Sequence, residues 1–171
     1  MKAGDFKKCE LTLLELMDKD FDNPVLLFAM GMSCVAQKRS GLAHSLLRRA
    51  VELMDYSHEA YVRLGIWPKE TSPSDRKRFV KTQTSEALNG IALTYKYEGR
   101  MDEALKWFNK ALALTPNDAD IYSNMGTLYV NDGRPHGGIA PLKRCLELDP
   151  NHRDAMWNLA LLQLELENFK E

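Results

Sequence analysis

Side chains able to do chemistry are few in this chain of 171 residues, and they are scattered. Its four histidines, His44, His58, His136 and His152, stand apart from one another. Its three cysteines, Cys9, Cys34 and Cys145, form neither a Cys-x-x-Cys pair nor a Cys/His group at zinc spacing. No metal-binding helix motif, nucleophile elbow or paired-carboxylate arrangement occurs, so no active site, metal or cofactor is expected. The densest candidate is "NDGRPHGGIAPLKRC", residues 131–145, with three glycines, two prolines and a histidine. A glycine-rich loop that runs into a helix can cradle phosphate with its backbone N–H groups. A phosphate loop closes on Gly-Lys-Ser/Thr, however, and Gly137-Gly138-Ile139 lacks that ending. The basic run Arg76–Lys81 offers contacts to phosphate or to an acidic partner, with a solvated helix face as the simpler reading. Trp67 beside Pro68 is either a partner anchor or a loop residue tucked back on the core.

Composition sets bounds on the whole. Hydrophobic residues make up 44% and charged residues 27%, as in an ordinary globular domain. The apolar runs fall well short of a membrane span, and no signal-peptide pattern opens the chain. The net charge of −1 argues against nucleic acid as a partner. Residues 1–84 carry 14 Lys/Arg against 11 Asp/Glu, and residues 85–171 carry 9 against 13, so neither half is a charged tail. Isolated thiols fit a reduced, cytoplasmic setting.

The organising feature is a repeat. "SEALNGIALTYKYEGRMDEALKWFNKALALTPND" (85–118) and "ADIYSNMGTLYVNDGRPHGGIAPLKRCLELDPNH" (119–152) align without a gap at a period of 34 residues. Tyr95 falls on Tyr129, Gly99 on Gly133, Arg100 on Arg134 and Pro116 on Pro150. Within each copy, apolar or small residues at positions 4, 7, 8 and 11 mark one helix face. They are Leu88, Ile91, Ala92 and Tyr95, then Tyr122, Met125, Gly126 and Tyr129. Positions 20, 24 and 27 hold Ala104, Phe108 and Ala111, then Gly138, Leu142 and Cys145. Small residues there let a second helix approach closely, and the proline at position 32 follows its end. A two-helix unit of this kind leaves an apolar face bare and must stack on a neighbour.

This pattern resembles the tetratricopeptide repeat family. The resemblance implies an all-α fold in which helix–turn–helix units stack into a right-handed superhelical solenoid. Residues 24–57 fit as a looser copy, with Leu27, Met30, Gly31, Cys34, Ala43, Leu47 and Ala50 in register, no turn glycine, and Asp55 in place of the proline. Residues 4–21 fit the second half of a unit, with Gly4 at the turn position. All three cysteines then occupy packing positions, as small core residues. A partial copy runs from Arg153 to Glu171. The phase breaks at about 66–84, which reads as a degenerate repeat or an insertion: Ser72, Pro73 and Ser74 as a loop, and Asp75 as cap of a helix starting at Arg76. The expected organisation is a single solenoid domain over 1–171, an excerpt of a longer array or protein. Open solenoid ends would also permit self-association.

In the family, the first helix of each unit lines a concave face. The residues carried to that face are Glu86, Asn89 and Lys96 from one copy, Asp120, Asn124, Thr127 and Asn131 from the next, and Asp154, Trp157 and Asn158 from the last. Asn124 and Asn158 share a position, as in arrays whose asparagines grip a bound peptide backbone. An amide both donates and accepts, which suits an extended chain of any sequence. Glu59, Glu86, Asp120 and Asp154 share position 2, which would form an acidic row and favour a basic peptide. Acidic residues are also favoured early in any helix, an explanation that stands beside the functional one. The basic clamp that holds chaperone C-termini is absent, since Asn89, Leu93, Asp154 and Asn158 fill its positions. The resemblance implies a scaffold binding an extended peptide or partner protein. The alternatives are the repeat domain of a larger enzyme, such as a glycosyltransferase, and a self-assembling structural subunit.

Overall fold

The computed structural model of the chain describes residues 3–54, 60, 62 and 72–168, with side chains described between Glu10 and Leu166. Eight helices and no strands occur among the described residues: α1 (Ala3–Met17), α2 (Pro24–Ala36), α3 (Ser40–Glu52), α4 (Pro73–Tyr97), α5 (Met101–Leu114), α6 (Ala119–Asn131), α7 (Pro135–Leu148) and α8 (Arg153–Asn168). Each even–odd neighbour pair is an antiparallel hairpin, α2 with α3, α4 with α5 and α6 with α7. The first helices also touch in series, α2 with α4, α4 with α6 and α6 with α8. A continuous row of first helices therefore forms one face of the stack. Short helices of this length are marginal alone, so packing of their apolar faces must hold them.

The repeat positions explain that packing. Position 24 supplies the large residue of each unit's interior: Leu47, Phe108 and Leu142 are all fully buried. Complete burial of one such side chain stabilises by about 1.5–3 kcal/mol. Position 8 opposite must be small. Ala92 serves in the Phe108 cluster, whereas a Cβ on Gly31 would lie 2.7 Å from Leu47 and one on Gly126 would lie 2.3 Å from Leu142. Cys34 and Cys145 are buried with free thiols, as their packing positions require. Cys9 lies outside the described side chains.

Turns and caps repeat with the same period. Gly99 and Gly133 adopt the left-handed conformation, with φ of 72° and 66°. The looser unit lacks glycine there and places Lys38 at φ 58° instead. Asn23, Ser72 and Asp118 cap α2, α4 and α6 with their side-chain oxygens.

Two local expectations need correction. The α4 helix starts at Pro73, not Arg76, and its cap is Ser72, whose Oγ accepts from the Asp75 N–H and donates to the Asp75 carboxylate. Pro73 fills the first helical position, where its missing N–H is no loss, so the Ser-Pro-Ser segment opens a helix where a loop was expected. Residues 73–84 thus run without a break into the first helix of the 85–118 unit. Gly4 likewise lies inside α1, not in a turn. Trp67, Pro68, His58 and Glu59 fall outside the described residues.

Candidate functional site

The first-helix face is built by α4, α6 and α8, and its centre is a ladder of polar side chains. Asn124 Nδ2 of α6 donates to Asn89 Oδ1 of α4 at 3.3 Å. Asn158 Nδ2 of α8 donates to Thr127 Oγ1 of α6 at 3.1 Å. The Thr127 hydroxyl in turn donates to the Ser123 carbonyl at 2.9 Å. Residues 31 to 35 apart in sequence are thereby brought together, because each helix repeats the register of the one before it. All four side chains are half-buried. Asn124 and Asn158 each use one amide N–H in these bonds, and among the described residues no other hydrogen bond engages the second N–H or the carbonyl of either side chain.

One border of this face lies at the N-terminal ends of the helices. Asp120 and Asp154 line a cleft of 450 Å³ with Asp149, Asn151, His152 and Arg153. His152 occupies the position that Asp118 holds one repeat earlier. Its Nδ1 accepts from the Ala155 N–H at 3.3 Å, capping α8, while Nε2 contacts Asp120 Oδ1 at 3.1 Å. The bond at Nδ1 fixes the tautomer with the proton on Nε2, which donates to Asp120. His152 and Arg153 escaped sequence reasoning. The signal for His152 was its alignment with the capping residue Asp118.

Glu86 does not join that cleft. It accepts from Gln83 Nε2 at 3.1 Å, and burial, reinforced by Asp118, pushes its carboxyl above the ordinary range. At the opposite border, Lys96 and Asn131 share a cleft of 110 Å³ with Gly99, Met101, Leu128 and Asp132. Burial lowers the Lys96 ammonium below its ordinary value. Trp157 stands on α8 with 68% of its surface exposed, one residue from Asn158. The predicted set thus divides into a polar centre (Asn89, Asn124, Thr127, Asn158), an acidic border (Asp120, Asp154), a mixed border (Lys96, Asn131), and Glu86 and Trp157 apart from these.

The glycine stretch is explained by packing. A Cβ on Gly137 would lie 2.5 Å from the Tyr129 ring, and one on Gly138 would lie 2.9 Å from Leu162 and 3.2 Å from the Gly126 carbonyl. The glycines admit α6 and α8 at close range. Among the described residues no group of His, Cys, Asp and Glu is arranged to hold a metal ion, and no helix is long and apolar enough to cross a membrane.

Stacked two-helix units with a shared first-helix face define a helical-repeat solenoid. Residues 92–133 match the family described as TPR repeat, and residues 124–171 match the tetratricopeptide repeat. Tetratricopeptide repeats thus occupy residues 92–171, and the all-α stack has the fold of that repeat. An Hsp70-Hsp90 organizing protein of Triticum aestivum is 29% identical over 69 residues, which cover 40% of this chain and 12% of that protein. The peroxisomal targeting signal receptor of Saccharomyces cerevisiae is 28% identical over 81 residues, 47% of this chain and 13% of that protein. This chain therefore spans a small part of the length of both. In three dimensions it superposes on a chain of the APC/C hetero-tetramer Cut9-Hcn1 with a TM-score of 0.73 and 19% identity, over 93% of this chain and 27% of that one.

Proposed function

We propose that the first-helix face binds an extended peptide segment of a partner protein. The observation that carries this reading is the ladder Asn89–Asn124 and Thr127–Asn158, which presents asparagine amides on three successive first helices. A peptide backbone offers alternating N–H and C=O groups, and an asparagine amide can satisfy both. Asp120 and Asp154 at one border favour a basic side chain, and the exposed Trp157 ring offers an apolar contact beside Asn158. The names of two relatives fit an interaction role, one a peroxisomal targeting signal receptor and the other an Hsp70-Hsp90 organizing protein. The protein is an interaction scaffold on this account, with the asparagines as backbone grips and the borders as selectors.

The test starts from peptides selected by display on the intact protein. The N124A/N158A double variant should weaken their binding at least tenfold, about 1.4 kcal/mol, while circular dichroism keeps the helical signal of the parent and the melting temperature falls by only a few degrees for the lost bonds to Asn89 and Thr127. Unchanged affinity for every selected peptide refutes the role of the asparagines.

A further inference from the structure

A second surface lies on the other side of the stack, between the second helices α3 and α5. Arg48, Val51 and Glu52 of α3, Ile91 of α4 and Trp107 of α5 line a cleft of 320 Å³ there. Its floor is apolar. Its rim is cationic in an unusual way. Lys110 Nζ sits 4.0 Å from the centre of the Trp107 ring, and the Arg48 guanidinium sits 5.7 Å from the same centre. A cation–π contact positions a charge without neutralising it. Among the described residues neither cation has a carboxylate within ion-pair distance, whereas the neighbouring charges are paired. Glu52 is held by Arg49 at 3.1 Å, Arg49 also holds Asp22 at 3.2 Å, and Arg100 holds Glu103 at 2.8 Å. Arg48 and Lys110 are thus two cations held against the Trp107 ring with no carboxylate paired to them among the described residues.

The ring that carries both cations is itself fixed. Trp107 stacks on Tyr95 with centroids 6.5 Å apart, and Tyr95 meets the edge of His44 at 5.1 Å. Arg100 covers Tyr95 at 4.5 Å. Burial and the adjacent Arg48 lower the His44 imidazole below its ordinary value, so this ring acts as packing and adds no further charge near neutral pH. The result is a rigid aromatic wall flanked by two unspent positive charges over an apolar floor.

We propose that this cleft is a docking site for a short acidic segment of a partner protein, one in which a glutamate or aspartate adjoins an aliphatic side chain. Charge complementarity selects the carboxylate, and the floor of Val51, Ile91 and Trp107 takes the aliphatic group. Two cations at one cleft match one or two carboxylates. They do not form the extended basic stripe that a nucleic-acid backbone requires. The site is independent of the asparagine ladder and would let the scaffold engage a second chain.

The probe is acetyl-Glu-Leu-Glu-Leu-Glu-amide, added to the full chain and followed by the tryptophan indole signals in a nitrogen–proton NMR correlation spectrum. W107F identifies the Trp107 signal. The acidic peptide should shift that signal saturably. The R48E/K110E variant should bind at least tenfold more weakly, the lysine counterpart of the peptide should not bind, and N124A/N158A should bind as the parent does. Because Arg48 and Lys110 are exposed, the charge reversal should leave the circular dichroism intact, and R48Q/K110Q serves should it not fold. An unshifted Trp107 signal, equal binding by the charge-altered variant, equal binding of the lysine peptide, or tighter binding of a thymidine oligonucleotide at the same indole overturns the proposal.

Discussion

Replacing Gly126 by alanine tests the packing of the solenoid most sharply. A Cβ at Gly126 would stand 2.3 Å from Leu142 Cγ and 2.5 Å from Cδ2. Ordinary carbon–carbon contact is at about 3.5–4.0 Å, so Leu142 must retreat by roughly 1–1.5 Å. It has nowhere to go, being fully buried among Cys145, Ala155 and Leu162. Overpacking of this kind costs about 1–3 kcal/mol. Against it stands the gain of about 0.5–1 kcal/mol when alanine replaces glycine inside a helix. The overpacking wins, and Gly126→Ala should destabilise by about 1 kcal/mol. Leu142→Ala alone should cost about 2–5 kcal/mol. On that background the new methyl enters vacated space, and Gly126→Ala should stabilise by about 0.5–1 kcal/mol. Urea denaturation of the four proteins, followed by circular dichroism, measures the cycle. Stabilisation of the parent by Gly126→Ala, or additivity within about 0.5 kcal/mol, would refute the reasoning.

Other outcomes follow from the turns, the thiols and the proline. Gly133→Ala should destabilise by about 1–2 kcal/mol from backbone strain alone, because φ is 66° and nothing lies within 4 Å of the added carbon. Lys38→Gly should do the opposite in the looser unit, raising stability by roughly 0.5–1 kcal/mol in the same denaturation assay. Burial, with Asp120 and Asp149 nearby, pushes the Cys145 thiol from 9.0 up to about 11, so native protein should resist thiol reagents at pH 8 and react only on unfolding. The raised value means the folded form holds its proton more tightly. That contribution is complete below pH 9 and is lost as pH climbs towards 11, which a pH series of melting temperatures should show. In α7, Pro141 has no N–H to donate to the Gly137 carbonyl, so amide exchange over 137–141 should be faster than over 104–111 in α5. Equal protection would count against the loosening attributed to that missing bond.

Much of this molecule was legible because a repeat writes its packing code several times over. Position 24 marks Leu47, Phe108 and Leu142 as core residues, and all three are fully buried. The cysteines were placed in the core by register alone, and Cys34 and Cys145 lie there. What resisted reading was written once. The start of α4 at Ser72–Pro73 has no second copy to align with, and Ser-Pro-Ser serves a loop or a capped helix equally well until Asp75 closes the cap. The site was legible as positions on a shared face but not as partners. That Asn124 would bond to Asn89, or Asn158 to Thr127, depends on the offset between neighbouring helices, which the periodicity of one helix does not contain. His152 combines the two cases. Its alignment with Asp118 signals the capping bond, while its contact to Asp120 again depends on the neighbouring helix.

The most direct test of the account is calorimetric titration of a display-selected peptide into the parent protein, N124A/N158A and R48E/K110E. The account predicts that binding on the first-helix face falls at least tenfold in N124A/N158A and is unaltered in R48E/K110E. Equal affinity in all three proteins, with every fold intact, would contradict it.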